Sequence, residues 1–335
     1  MKRLSAVLSV AFYPIVVLKN YPILIKWREF YIVTGGVINS IAAVISILIA
    51  FYYYRTLFPA ETAGPGFIWK LTMVGFFSLL FSKLFHFAAM GREFLRNPGK
   101  YMSETAFYNQ GGQIGVLFGT IWLAWSSGIN FLACMDINLL AGCFGLAMGR
   151  LGCYSYGCCH GRETTSRFAT VYTHPSTKAL RVFPELTNVP LVPTQLISAA
   201  FTFALFVVLV GLMTRAPEAG MVSAAFIVTY NCFRFFIERY RLSVVNVESG
   251  KVRMRFYMSV AATILGIGVI YAVFVLSQQS PRLTIEQPLS LGQFLAADVA
   301  QPQTIGAMAV VLAVYILMWS THYKKLGQHF EWKKV

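Results

Sequence analysis

Apolar residues run through this chain in long blocks. Continuous stretches lie at about 30 to 54, 67 to 90, 111 to 127, 131 to 149, 195 to 213, 221 to 237, 256 to 277 and 304 to 320. Most approach or exceed the ~20 residues an α-helix needs to cross the hydrocarbon core of a bilayer. They lack the period-two alternation of outer-membrane strands, so the class predicted is an all-α polytopic membrane protein. Seven spans form the predicted bundle. The eighth follows a polar, proline-bearing stretch at 278 to 303 and reads as an addition to that seven-helix core.

The polar segments divide the chain further. Residues 1–29 open with Met1-Lys2-Arg3 and an apolar run to Leu18 that has no small-residue cleavage site, so this part reads as a retained interfacial or re-entrant segment. The membrane bundle occupies 30–277, with a short basic arm at 91–110 and a small extramembrane head at 150–194. Residues 278–335 hold the polar linker and the extra span.

Composition agrees with the pattern and adds a charge. Of 335 residues, 57% are hydrophobic and 12% charged, and the formal net charge is +15. In a membrane protein that excess points to anionic headgroups or anionic substrates, and no nucleic-acid-binding module is visible. Alternating the spans gathers Lys19, Lys26, Arg28, Arg92, Arg96, the head and the C-terminal lysines on one face. The other face keeps little beyond Arg55, Arg215 and Arg282. The positive-inside rule makes the basic face cytoplasmic. A phospholipid-binding site on the outer face would also collect Arg and Lys, and is the rival explanation.

The densest chemistry is GRLGCYSYGCCHGR at 149–162. Arg150 closes an apolar helix between Gly149 and Gly152, where a snorkelling side chain and a phosphate fork are the two readings. Gly161 and Arg162 repeat the dipeptide. Cys153, Cys158, Cys159 and His160 lie between. Metal binding, an activated thiol and a Cys153–Cys158 disulfide compete with packing here, and the spacing, which matches no familiar zinc knuckle, disfavours the metal. Cys134, Cys143 and Cys232 sit in apolar runs and read as core. Further on, Tyr230, Arg234, Glu238 and Arg241 share one helical face, as an ion-paired clamp or an anion site. Gln110, Gly111 and Gly112 enter the third span as an amide-rich turn whose backbone N–H groups suit an anion.

Together these motifs resemble the bacterial phosphatidylglycerol–prolipoprotein diacylglyceryl transferase family. GRLGCYSYGCCHGR is similar to its G-R-x-G-N-F-x-N-x-E-x-x-G-R, and VPTQL at 192–196 to its H-P-S-Q-L. YNCFRFFIERYR is similar to Y-x-x-F-R-F-x-x-E-x-x-R, QGGQIG to H-G-G-x-I-G, and IKWREFY to R-W-Y-G-x-x-Y. The ordered matches cover about residues 12 to 275. The resemblance implies a seven-span fold with arm and head in the bacterial cytoplasmic membrane. It also implies transfer of diacylglyceryl from phosphatidylglycerol to a lipobox thiol without metal or soluble cofactor. Arg150, Arg234, Tyr230, Glu238, Arg241, Gly152 and Gly161 occupy the matching positions, with Arg162, Gln110, Gly111 and Gly112 beside them as headgroup contacts.

The chain departs from the pattern on the acceptor side. The family histidine is Gln110, which is no general base. Its two asparagines are Cys153 and Tyr156, its glutamate is Cys158, and the histidine of H-P-S-Q-L is Val192; Arg28 replaces an early tyrosine. The expectation is a transferase using an anionic phospholipid, with a thiol, lipoprotein or small-molecule acceptor. His160 stands in as base, and Cys158 or Cys153 serves as nucleophile or pocket wall. The alternative is a non-catalytic lipid-handling protein that keeps the headgroup clamp.

Overall fold

The computed structural model describes residues 17–64, 66–99, 109–241, 264, 266–276, 281–285, 289–323 and 326. The predicted helix at the extreme N-terminus, the second half of the arm and the start of the seventh span lie outside the described residues. Eight helices correspond to the eight apolar blocks: α1 (Thr34–Leu57), α2 (Phe67–Met90), α3 (Asn109–Ser127), α4 (Phe131–Tyr156), α5 (Thr194–Met213), α6 (Met221–Ile237), α7 (Gly266–Leu276) and α8 (Pro302–Tyr315). A wider turn over Ile316–Ser320 extends α8. Six of these helices are long and apolar enough to cross a bilayer.

Small residues decide how closely the helices approach, because lipid supplies little hydrophobic drive for one helix to pack on another. Gly111, Gly115 and Gly119 recur every fourth residue along one face of α3. A Cβ at these positions would come within 2.4, 2.2 and 2.8 Å of Phe81, Phe77 and Val74 on α2. The α1–α4 crossing works the same way, with Gly35 against Gly152. Asp136 is fully buried in α4, and its carboxylate accepts from the N–H groups of Gly220 and Ser223 at 2.7 Å each. It thereby satisfies free donors at the start of α6 inside the membrane region.

The chain around the head differs from a plain helix–loop pattern. A β-hairpin, β1 (Ile23–Trp27) and β2 (Phe30–Val33), precedes α1, and Arg28 sits at its tip with φ 53°. A strand after α8, β5 (Thr321–Tyr323), pairs antiparallel with β2. In the head, β3 (Thr170–Val171) pairs with β4 (Pro190–Leu191) over a small core of Tyr172, Ala179, Leu180, Leu186 and Leu191. Lys19 Nζ donates to the Val171 carbonyl at 2.7 Å. The N-terminal hairpin, the head and the end of the last span therefore meet on one face.

Two expectations change here. The fourth helix continues seven residues past the predicted end at 149, so Arg150, Gly152 and Cys153 are helical. The last span, an addition to the seven-helix core in sequence, is packed into that core in space. It packs against α1 and α2: the Tyr315 hydroxyl donates to the Gly75 carbonyl at 3.1 Å, and Gly36 faces the backbone of Trp319 and Ser320. Hydropathy registers a segment's length and apolarity but not its neighbours, so packing decided this.

Candidate functional site

A cavity of about 650 Å³ lies between α1, α2, α3, α4 and α8. Its long walls are mostly apolar, including Ala42, Ile47, Val74, Gly142, Gly145 and Phe226, with polar side chains such as Asn39, Ser46 and Asn138 set among them. At one end it turns polar, where Arg150, Cys153, Cys158, Cys159, Lys178 and His322 line it. The Arg150 guanidinium lies one helical turn from Cys153 and reaches the Tyr230 hydroxyl at 3.5 Å. It has no carboxylate partner among the described residues.

Arg234 and Arg241 differ in this respect. Both bind Glu238, at 2.9 and 3.0 Å to the same Oε2. Glu238 and Tyr230 are buried, while the two guanidinium groups are partly accessible. The expected spacing along α6 holds to Arg234. A single 3-10 turn, Glu238–Tyr240, then brings Arg241 back onto Glu238. This is the paired clamp, and it stands beside Arg150 through Tyr230.

The glycine-arginine pair at 161–162 works through its backbone. Gly161 N–H donates to the Val192 carbonyl, Arg162 N–H to the Tyr240 carbonyl, and Val192 N–H to the Arg162 carbonyl, all near 3 Å. A Cβ on Gly161 would sit 2.6 Å from Val192. The Arg162 side chain itself is exposed and covers the Tyr240 ring. The dipeptide thus stitches the ends of α4, α5 and α6 together, and that stitch fixes where Arg241 enters.

Gly157 ends α4 in the left-handed conformation at φ 75°, which glycine adopts without cost. Its turn sends Cys158 and Cys159 back over Cys153, and the three sulfurs lie within 4.8 Å of one another. Cys159 itself has φ 60°, uncommon for a residue with a Cβ. Thr194 Oγ1 holds the Cys159 carbonyl at 2.7 Å, and Gln195 Nε2 holds that of Cys158 at 2.8 Å. Donation from Cys153 and Cys158, supported by the charges of Arg241 and Arg150, keeps the Cys159 thiol well below its ordinary range. Hydrogen bonds with Cys153 and Cys159, and then burial, push Cys158 well above it.

All six cysteines are free, so no disulfide joins Cys153 to Cys158. Cys134 and Cys143 are core residues as expected, but Cys232 is exposed on the outer face of α6. His160 is buried outside the cavity lining, with Nδ1 3.2 Å from the Gly161 carbonyl; burial lowers its pKa and favours the neutral ring. Gly152 closes the α1–α4 crossing at the cavity wall. Gly111 packs on α2, and Gly112 reaches the cavity. The Gln110 side chain lies outside what is described.

Several lining residues carry little sequence signal. Asn39 Oδ1 and Ser46 Oγ, one and three turns into α1, are buried without a hydrogen-bond partner among the described residues. A polar side chain in an apolar run was the available clue. Burial first, then the Arg181 and Lys178 charges, lower the His322 pKa to about 4. Its ring stacks on Tyr156, whose hydroxyl accepts from Arg181 Nη2 at 2.9 Å. Nothing in the local sequence joins His322 to a residue 166 positions earlier.

Fold and site together define a multi-pass membrane protein with an arginine cluster at the polar end of an intramembrane cavity. The family model described as "Prolipoprotein diacylglyceryl transferase" matches residues 22–272, and the chain belongs to that family. It is 28% identical over 245 residues to the phosphatidylglycerol–prolipoprotein diacylglyceryl transferase of Clostridium botulinum, covering 71% of this chain and 91% of that one. It is 31% identical over 170 residues to the corresponding protein of Chlorobaculum tepidum (50% and 55%). It is 30% identical over 128 residues to transferase 2 of Clostridium perfringens (38% and 46%). With these last two, the match spans about half the relative's length. Residues beyond 272, including α8, lie outside the family match.

Proposed function

We propose that this protein moves the diacylglyceryl group of phosphatidylglycerol to an acceptor thiol, releasing glycerol phosphate, in the bacterial cytoplasmic membrane. Family membership supports the reaction class, and the relatives' names carry both the donor and a prolipoprotein acceptor. The observation that carries the proposal is Arg150. It is a guanidinium without a carboxylate partner among the described residues, at the polar end of a mostly apolar cavity. A phosphodiester supplies the counter-charge that such a group lacks, and two acyl chains suit the apolar walls.

In this reading Arg150 binds the phosphate and stabilises the charge that grows as the carbon–oxygen bond breaks. Tyr230 orients it. Arg234 and Arg241, restrained by Glu238, add positive potential without closing on the ligand. The attack is a direct displacement at the glyceryl carbon. A diacylglyceryl thioether on Cys153 or Cys158 would be a dead end, because a thioether sulfur is a poor leaving group. That argues for the thiols as walls or activators rather than covalent intermediates.

The test is incubation of the purified protein with labelled phosphatidylglycerol and a cysteine-bearing lipobox peptide. A diacylglyceryl thioether and glycerol phosphate are the expected products. Arg150-dependent phospholipid binding with no donor turnover, whatever thiol is supplied, would instead establish the lipid-handling alternative.

A further inference from the structure

Cys153, Cys158 and Cys159 do more than line a wall. Three sulfurs within 4.8 Å of one another, all at the cavity's polar end, form a face rather than a scattered set. The backbone beneath it is pinned. Gly157 and Cys158 N–H groups donate to the Cys153 carbonyl at 3.0 and 3.1 Å, and the Cys158 and Cys159 carbonyls are held from α5. Such restraint lets a ligand set be ready before its ion arrives. Sulfurs bound at ~2.3 Å to a tetrahedral zinc stand roughly 3.8 Å apart. That leaves at most about 1 Å between sulfurs for the cysteine side chains to close.

We propose that Cys153, Cys158 and Cys159 bind a thiophilic divalent ion, zinc by ligand type, and leave a fourth position open to the cavity for the acceptor thiol. Three protein ligands and one open position are the arrangement of catalytic zinc. His160 is not in the sulfur cluster, so no fourth protein ligand closes the site among the described residues. Charge also fits. Three thiolates and a divalent cation sum to −1, and to −2 with an acceptor thiolate, beside Arg150 and Arg241. The inference rests on the transferase reading for its acceptor, and it supplies what Gln110 removes from the family pattern.

The step balances. The acceptor thiol coordinates and releases its proton to cavity water, since a metal-bound thiol is deprotonated. Its sulfur forms a bond to the glyceryl carbon as the bond from that carbon to the phosphate oxygen breaks. The electron pair leaves on glycerol phosphate, opposite Arg150. The neutral thioether is a weak ligand and dissociates, leaving the ion on its three cysteines. Nothing is oxidised or reduced.

The full-length protein, purified under reductant, would be measured for zinc and reloaded with cobalt. About one ion per chain is expected, with thiolate-to-cobalt charge-transfer absorption that shifts on adding the lipobox peptide. Cys153→Ser, Cys158→Ser and Cys159→Ser should each weaken metal binding by more than the 10–100-fold typical of losing an outer-shell contact. Chelation should abolish transfer but spare phosphatidylglycerol binding, and zinc should restore transfer. A reduced wild type without the thiolate–cobalt band, or serine variants that bind metal like wild type, would overturn the site. Full transfer after all metal is stripped would overturn its catalytic use. A metal-loaded, peptide-responsive protein that never consumes phosphatidylglycerol would keep the site and sink the transferase reading.

Discussion

Gly35 and Gly152 face each other backbone to backbone, so that a Cβ built on either would lie 2.4 to 2.6 Å from the other's carbonyl oxygen. A glycine here admits a backbone or a headgroup; Gly152 takes the Gly35 carbonyl on one side and also lines the cavity. Replacing it with alanine should force α1 and α4 apart at a cost of about 1–3 kcal/mol. A lowered melting temperature in detergent, with similar phospholipid affinity in the fraction still folded, is the expected result. Loss of affinity without loss of stability would return Gly152 to the headgroup.

Arg150 carries the donor reading. Arg150→Ala should lower turnover by about 10²–10³-fold, the scale on which removing one charge-stabilising donor acts. Arg150→Lys keeps the charge but loses the planar fork, and should recover only part of that. Steady-state rates with labelled donor check both. Equal rates in wild type and Arg150→Ala would remove this residue from the mechanism.

Glu238 separates Arg234 from Arg241. Neutralising it with Glu238→Gln leaves two guanidinium groups facing each other, near the lower end of the about 3–5 kcal/mol typical of breaking a buried pair, because both arginines keep some solvent access. Adding Arg241→Met to Glu238→Gln should return part of the melting temperature. A single variant as stable as wild type would contradict the clamp.

His322 should make stability depend on acid. Its folded-state pKa is lowered to about 4 by burial, with the Arg181 and Lys178 charges adding to it. Between that value and the unfolded range near 6.5, the unfolded chain binds the proton and the folded one does not. Stability contributed by the neutral ring is therefore complete above about pH 6.5 and lost as pH falls toward 4. Melting temperatures of wild type and His322→Gln should converge over that interval, and parallel pH profiles would count against this.

The basic face also predicts a topology. The N-terminal hairpin, the head and the strand after α8 meet through β2–β5 pairing and the Lys19–Val171 hydrogen bond, so they share one side. The positive-inside rule places that side in the cytoplasm. A reporter fused after Val335 should be active there; activity only outside would mean that the phospholipid site gathered these charges.

Much of this was legible in the order of residues. Apolar blocks of span length dictate helices, because an unpaired backbone cannot remain in hydrocarbon. Ordered motifs marked Arg150, Tyr230, Arg234 and Glu238, and the 4-residue spacing on α6 put Arg234 within reach of Glu238 in advance. Sequence alone could not decide which arginine keeps its charge free for a ligand. Pairing of Arg241 depends on a 3-10 turn and on the backbone stitch at Gly161. Nor could it place the last span against the cavity, since hydropathy carries no partner information. The cysteines mark the same limit. Their linear spacing matched no zinc knuckle, but a left-handed turn at Gly157 folds C-x4-C-C into one face of three sulfurs. Distance along the chain had concealed proximity in space, and only the tertiary fold could restore it.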